Sequence, residues 1–144
     1  MKEPLIVSAC LLGVGCRYDG NRVEKIDISP LLSRYSIIPV CPEQLGGLPT
    51  PRTPSERVGE RVFMADGTDV TASFRKGAEE TLRIAKKLGA RKALLKRRSP
   101  SCGKDRIYDG SFTSTLTDGS GFTAELLLSE GITVFGEDEI SELL

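Results

Sequence analysis

The sequence predicts a single α/β domain over residues 1–144, Rossmann-like, with a mainly parallel four-stranded sheet flanked by helices. Three observations carry the prediction. Four short β-prone apolar runs recur at wide spacing, segments of helical periodicity lie between them, and 144 residues of 39% hydrophobic and 28% charged composition suffice for one core. Strands alternating with helices imply crossover connections and therefore parallel pairing.

In chain order, Leu5-Ile6-Val7 is the first strand. The apolar run around it, residues 5–12, is too short to span a bilayer and contains Ser8 and Cys10, so neither export nor membrane insertion is expected and a cytoplasmic location follows. Ser29-Pro30 supplies an N-cap and a proline at the first helical position, which opens a brief helix carrying Leu31, Leu32 and Tyr35. The second strand is SIIPV at 36–40. A longer helix spans 69–88, where Phe74, Ala78, Leu82, Ala85 and Leu88 keep helical spacing and Gly89 stands at the left-handed C-cap. KALLK at 92–96 is the third strand, 120–130 a helix ending at Gly131, ITVF at 132–135 the fourth strand, and 138–144 a last short helix. Segments 11–28, 42–68 and 97–119 are long and irregular, and all leave the carboxyl ends of the first three strands, where open α/β sheets place their ligands.

Twenty basic and twenty acidic residues cancel, which argues against a dedicated nucleic-acid binder or an anionic-membrane partner. Arg91, Lys92, Lys96, Arg98, Lys104 and Arg106 form the one basic concentration, and it reads as a solvated edge and loop. No histidine occurs, which removes Ser-His-Asp and Cys-His schemes and any histidine ligand to zinc. Proton transfer falls to carboxylates, Lys, Tyr or Cys.

The cysteines are the chemical signal. Cys10 ends the first strand, Cys41 ends the second, and Cys102 follows the third, so three thiols distant in sequence converge on one sheet edge. Cys16 lies on the first loop. Their settings are SACLLGVGCRYDG at 8–20, PVCPEQLGGLPTPR at 39–52 and RSPSCGKDRIYDG at 98–110, where Pro and Gly fix the backbone around each thiol. In a reducing compartment such cysteines point to metal binding or thiol chemistry rather than disulfides. Soft thiolates suit zinc and iron–sulfur clusters alike; the lack of a CxxC pair argues against a zinc finger, and three thiolates leave one metal position open for substrate. Thiol exchange and plain structural roles remain alternatives. Glu43, two residues from Cys41, is a proton carrier or an acceptor within its own turn, and Ser101 beside Cys102 orients a ligand or serves the turn.

These segments, with GTDVTASFRKGAEETL at 67–82 and GSGFTAELLLSEGI at 119–132, resemble the TudS-type thiouracil desulfidases, a bacterial and archaeal family, over nearly the whole chain. The resemblance implies hydrolytic, non-redox desulfurisation of a thiolated uracil or related thiocarbonyl compound at a 4Fe-4S cluster. It implies Cys10, Cys41 and Cys102 as the three ligands, one open iron that takes the substrate's sulfur, and Glu43 and Ser101 as acid–base and positioning groups. The partner would be a small thiolated pyrimidine. Arg17, Tyr18 and Asp19 are candidates to contact the base, and Gly46 and Gly47 to let backbone approach the ligand or cluster. A zinc-thiolate enzyme, a thiol-exchange enzyme and a non-catalytic metal or sulfide carrier are the other readings. Tyr108 to Gly110 reads as a turn between short strands.

Overall fold

The computed structural model describes residues 2–21 and 26–144; part of the first predicted loop, residues 22–25, lies outside the described residues. The elements are β1 (Glu3–Ser8), β2 (Tyr35–Val40), α1 (Pro42–Leu45), β3 (Ser55–Val58), β4 (Arg61–Met64), α2 (Thr71–Leu88), β5 (Lys92–Leu95), β6 (Arg106–Tyr108), β7 (Leu116–Asp118), α3 (Phe122–Ser129) and β8 (Thr133–Gly136). Turns of 3-10 helix occur at Ala9–Leu12, Ser29–Leu31 and Glu137–Leu143.

The predicted sheet forms, with all pairings parallel and strand order β2-β1-β5-β8. The two inner strands are buried on both faces at Leu5, Ile6, Val7, Ala93, Leu94 and Leu95, which is why they read as continuous apolar runs rather than as alternating ones. On one face Ile6, Val40, Ala93, Leu95 and Val134 pack against Ala85 of α2 and Ala124 and Leu127 of α3. On the other, Leu5, Val7 and Leu94 meet Leu31, Tyr35 and Leu143, with the Tyr35 hydroxyl donating to the Leu143 carbonyl at 2.7 Å.

Two expectations change. Ser29 opens no α-helix: the segment is a single 3-10 turn whose N-cap is Ile28, and the Ser29 hydroxyl donates to Asp27 instead. Tyr35 already belongs to β2, and a helix confined to the few residues between them would not repay the cost of its nucleus. Two of the three segments expected to be irregular, 42–68 and 97–119, contain an antiparallel hairpin, β3 with β4 and β6 with β7. Arg-Val-Gly-Glu-Arg-Val at 57–62 explains the first, since Gly59 takes a positive φ of 58° at the turn. The helix expected at 69–88 starts at Thr71 and ends at Gly89 with φ 73°, as its sequence required.

Two backbone contacts seat the segments that carry Cys41 and Cys102. The first joins α1 to α2: a Cβ added to Gly77 would lie 1.9 Å from the Pro42 carbonyl oxygen, and one added to Gly46 would lie 2.0 Å from that of Ser73. The second joins the Cys102 loop to α3, whose free N-terminal N–H groups donate to carbonyls of that loop, Phe122 to Pro100 and Thr123 to Ser101.

Alanine for glycine inside an exposed helix gains up to about 1 kcal/mol. At Gly77 the clash with Pro42 should reverse that sign, because forcing atoms into a packed contact costs about 1–3 kcal/mol. Gly77→Ala is therefore expected to lower the urea midpoint of unfolding at unchanged slope.

Candidate functional site

Parallel register brings the carboxyl ends of β1, β2 and β5 to one edge, and a cavity of about 440 Å³ opens there. All four cysteines line it, together with Ser8, Glu43, Arg52, Glu56 and Ser101 on the walls and Arg17, Tyr18, Arg98, Tyr108 and Phe112 around them. Cys10 sits in the 3-10 turn after β1 rather than at the strand end, Cys41 is the N-cap residue of α1, and Cys102 lies in the loop after β5.

The thiols are free and withdrawn from solvent, Cys41 alone being half-buried. Cys16 joins them: its thiol hydrogen-bonds the side chains of Cys10 and Cys41, and the Cys41 thiol also donates to the Cys16 carbonyl at 3.8 Å. Its bond to Cys10 is the main influence raising the Cys16 thiol above the usual range, while the bond to Cys41 opposes it. Cys41 is pushed far higher by its bond with Cys16 and by burial. Burial drives Cys102 up to about 12, against the lowering influence of hydrogen bonds from Ser8 and Ser101.

The hydroxyls around Cys102 are oriented by their other partners. Ser8 Oγ accepts the Lys96 backbone N–H at 2.9 Å, which leaves its proton for Cys102 Sγ at 3.4 Å. Ser99 Oγ accepts the Cys102 N–H at 2.6 Å. Ser101 Oγ donates to Glu43 Oε2 at 2.9 Å and lies 3.7 Å from Cys102 Sγ. The other Glu43 oxygen, Oε1, accepts Arg52 Nε–H at 3.0 Å, so the carboxylate is held at both ends.

Of the residues singled out in the sequence, the structure brings Cys10, Cys41, Cys102, Glu43, Ser101, Arg17 and Tyr18 to this cavity, and Cys16 with them. Asp19 is outside it, exposed and bonded to Asn21. Gly46 and Gly47 are outside it too. Gly46 serves the packing of α1 on α2, and Gly47 adopts a φ of 94° as the chain leaves α1. Sequence reasoning passed over Arg52, Ser8 and Glu56. The available signal for Arg52 was its position closing the LPTPR segment, a single cation behind two prolines near Cys41.

Among the described residues, no group of three or more His, Cys, Asp or Glu side chains is gathered to hold one metal ion. A single zinc needs its thiolates within about 2.3 Å of one point, so the zinc alternative finds no preformed support. A four-iron cluster places each cysteine on a different iron and so spreads its ligands. Four soft donors on one cavity, with the Ser8 hydroxyl proton directed at the Cys102 sulfur, fit that donor requirement.

A sequence model of the 2-thiouracil desulfurase family matches residues 5–139. An uncharacterized Bacillus subtilis (strain 168) protein, YbbK, is 39% identical over 150 residues, covering 97% of this chain and 99% of its own. Among solved structures, the 4Fe-4S-dependent thiouracil desulfidase TudS superposes with a TM-score of 0.92 at 48% identity, covering 99% of this chain and 95% of that one.

The raised thiols make a prediction for the metal-free protein. A group whose folded pKa exceeds its ordinary value stays protonated at pH 8, and only the thiolate is nucleophilic. Cys102 should react with iodoacetamide more than about tenfold slower than free cysteine at that pH, gaining rate as pH rises toward 12, whereas all four thiols react promptly in denaturant. Site-resolved mass spectrometry checks this.

Proposed function

The chain belongs to the 2-thiouracil desulfurase family, and we propose that it converts a thiolated uracil or a related thiocarbonyl compound into the oxygen analogue at a 4Fe-4S cluster held by Cys10, Cys41 and Cys102. The observation that carries this reading is the Glu43–Ser101 hydrogen bond, 2.9 Å long, formed beside the Cys102 sulfur on the wall of a cavity lined by four free thiols. Bound there, the cluster supplies an iron without a protein ligand, a Lewis acid for the thiocarbonyl sulfur.

The protein's own groups supply the rest. Water contributes oxygen to the ring carbon and its two protons leave with sulfide as hydrogen sulfide, so no electrons are exchanged. Among the described residues Glu43 is the one carboxylate hydrogen-bonded to Ser101, and with no histidine in the chain it takes the proton of the attacking water. Ser101 places that water or the ring edge against Glu43 Oε2. Tyr18, 40% exposed, offers its ring for stacking the base, and Arg17 a donor for its polar edge.

A small substrate accords with the surface charges. Within the basic stretch Lys92 pairs with Glu3, Lys96 and Arg97 with Glu137, Lys104 with Glu139 and Arg106 with Asp118, which reduces what is left to follow a phosphate backbone. Among the described residues no helix is long and apolar enough to cross a membrane. Free thiols and an oxygen-sensitive cofactor support a cytoplasmic setting for this single domain.

Anaerobic reconstitution should yield about four irons and matching sulfide per chain, and sulfide release from 2-thiouracil; Cys102→Ala should lose both. Glu43→Gln should keep the cluster and lose about 10²–10⁴ in kcat. Zinc uptake in place of iron, or a fully loaded protein that releases no sulfide, would remove the reading.

A further inference from the structure

We propose that Arg52 is a positioning residue: its guanidinium fixes Glu43 Oε1, thereby turning Oε2 to Ser101, and ties that pair to the loop that presents Arg17 and Tyr18. The inference rests on the roles given above to Glu43 and Ser101.

The Arg52 side chain is 3% exposed. A cation withdrawn to that degree costs several kcal/mol unless it is paired and fully hydrogen-bonded, and here every guanidinium nitrogen is used. Nε–H donates to Glu43 Oε1 at 3.0 Å, Nη1 to the Pro49 carbonyl at 3.1 Å and the Thr50 hydroxyl at 2.8 Å, and Nη2 to the Cys16 carbonyl at 2.9 Å. Neutral donors would serve the carbonyls and the hydroxyl equally well. What calls for a positive charge is the carboxylate of Glu43, whose side chain is itself 14% exposed.

The planar fork matters as much as the charge. Glu43 rotates about its last side-chain bond with little resistance of its own. With Oε1 fixed to Nε and the guanidinium plane held by Thr50, Pro49 and Cys16, the carboxylate has one setting, and that setting points Oε2 at Ser101. The same residue reaches the substrate-facing loop twice, through Nη2 to Cys16 and through its backbone N–H to the Tyr18 carbonyl at 2.6 Å. Arg52 thus joins the proton-transfer pair to the segment that meets the base. Lysine keeps the charge and the backbone bond but has no fork, and cannot reach Glu43, Thr50 and Cys16 in one geometry.

The test is Arg52→Lys, alone and combined with Glu43→Gln, in the cluster-loaded full chain. The expected result is wild-type iron and sulfide content, kcat about 10- to 100-fold lower, and KM within about threefold because the backbone bond to Tyr18 survives. On the Glu43→Gln background the second substitution should cost nothing further in kcat, since a group acting through another has no separate effect. A crystal structure of Arg52→Lys, with Glu43 swung away from Ser101, reads the positioning without any turnover. Wild-type kcat in the lysine variant, multiplying losses in the double variant, an unmoved Glu43, or loss of cluster or fold in Arg52→Lys would each overturn the proposal, the last by making Arg52 a scaffold residue. A wild-type protein that releases no sulfide while Glu43 still moves in the variant would sink the desulfidase reading alone.

Discussion

Parallel register at the end of β1 is the constraint on which the site depends. Ser8 pairs with Val40 of β2, and Val7 pairs with Leu94 of β5, so the three strands run out at the same level. Beyond that level the backbone ladder to β5 stops, and the Ser8 hydroxyl continues it by accepting the N–H of Lys96. One lone pair is then spent on the neighbouring strand and the proton is left over, directed to Cys102. A single buried hydroxyl therefore both ends the sheet and begins the sulfur environment. A one-residue slip of β1 would send Ser8 to the opposite face and Val7 into its place.

The walls of the cavity are held in different ways. Its floor is backbone held by backbone: α1 touches α2 where Gly46 and Gly77 leave no space for a side chain, and the Cys102 loop caps α3. Toward the mouth, the turn that carries Phe112 hangs from a single buried carboxylate, Glu56, which accepts the N–H groups of Gly110 and Phe112. Phe112 and Ser114 hold positive φ values there, a conformation that non-glycine residues keep only when other contacts impose it.

Much of this was legible in the chain. The four sheet strands announce themselves as apolar runs too short for helices, and long connections after three of them mark one edge as the place for chemistry. Cys10, Cys41 and Cys102 follow directly from that topology. The β3–β4 hairpin was not legible and that of β6 with β7 showed only through the Tyr108–Gly110 turn, because strands such as β3 and β6 bury only one residue each, Glu56 and Ile107, and so lack an apolar alternation to read. Gly46 and Gly47 misled for a related reason: a glycine pair announces close approach without saying to what, and here the close neighbour of Gly46 is the backbone of α2. Arg52 was hidden because sequence composition treats an arginine as a surface charge, and only burial shows that its charge faces inward.

The electrostatic setting then selects among the chemistries that thiols allow. Thiol exchange needs a thiolate at neutral pH, which enzymes obtain by placing a cation or a helix N-terminus beside the sulfur. Here Cys41 stands at the N-cap of α1 and the Arg52 charge acts on Cys16, yet both are outweighed: Cys16 is raised chiefly by its bond to Cys10, Cys41 by its bond to Cys16 and by burial, and Cys102 by burial. Protons leave such thiols when a soft metal centre takes their place, because metal–sulfur bonding then supplies the free energy that burial withholds from a bare anion. The same burial that makes these cysteines poor nucleophiles suits them to ligation, and the hydrogen-bonded oxygens of Glu43 and Ser101, held by Arg52, stand beside them.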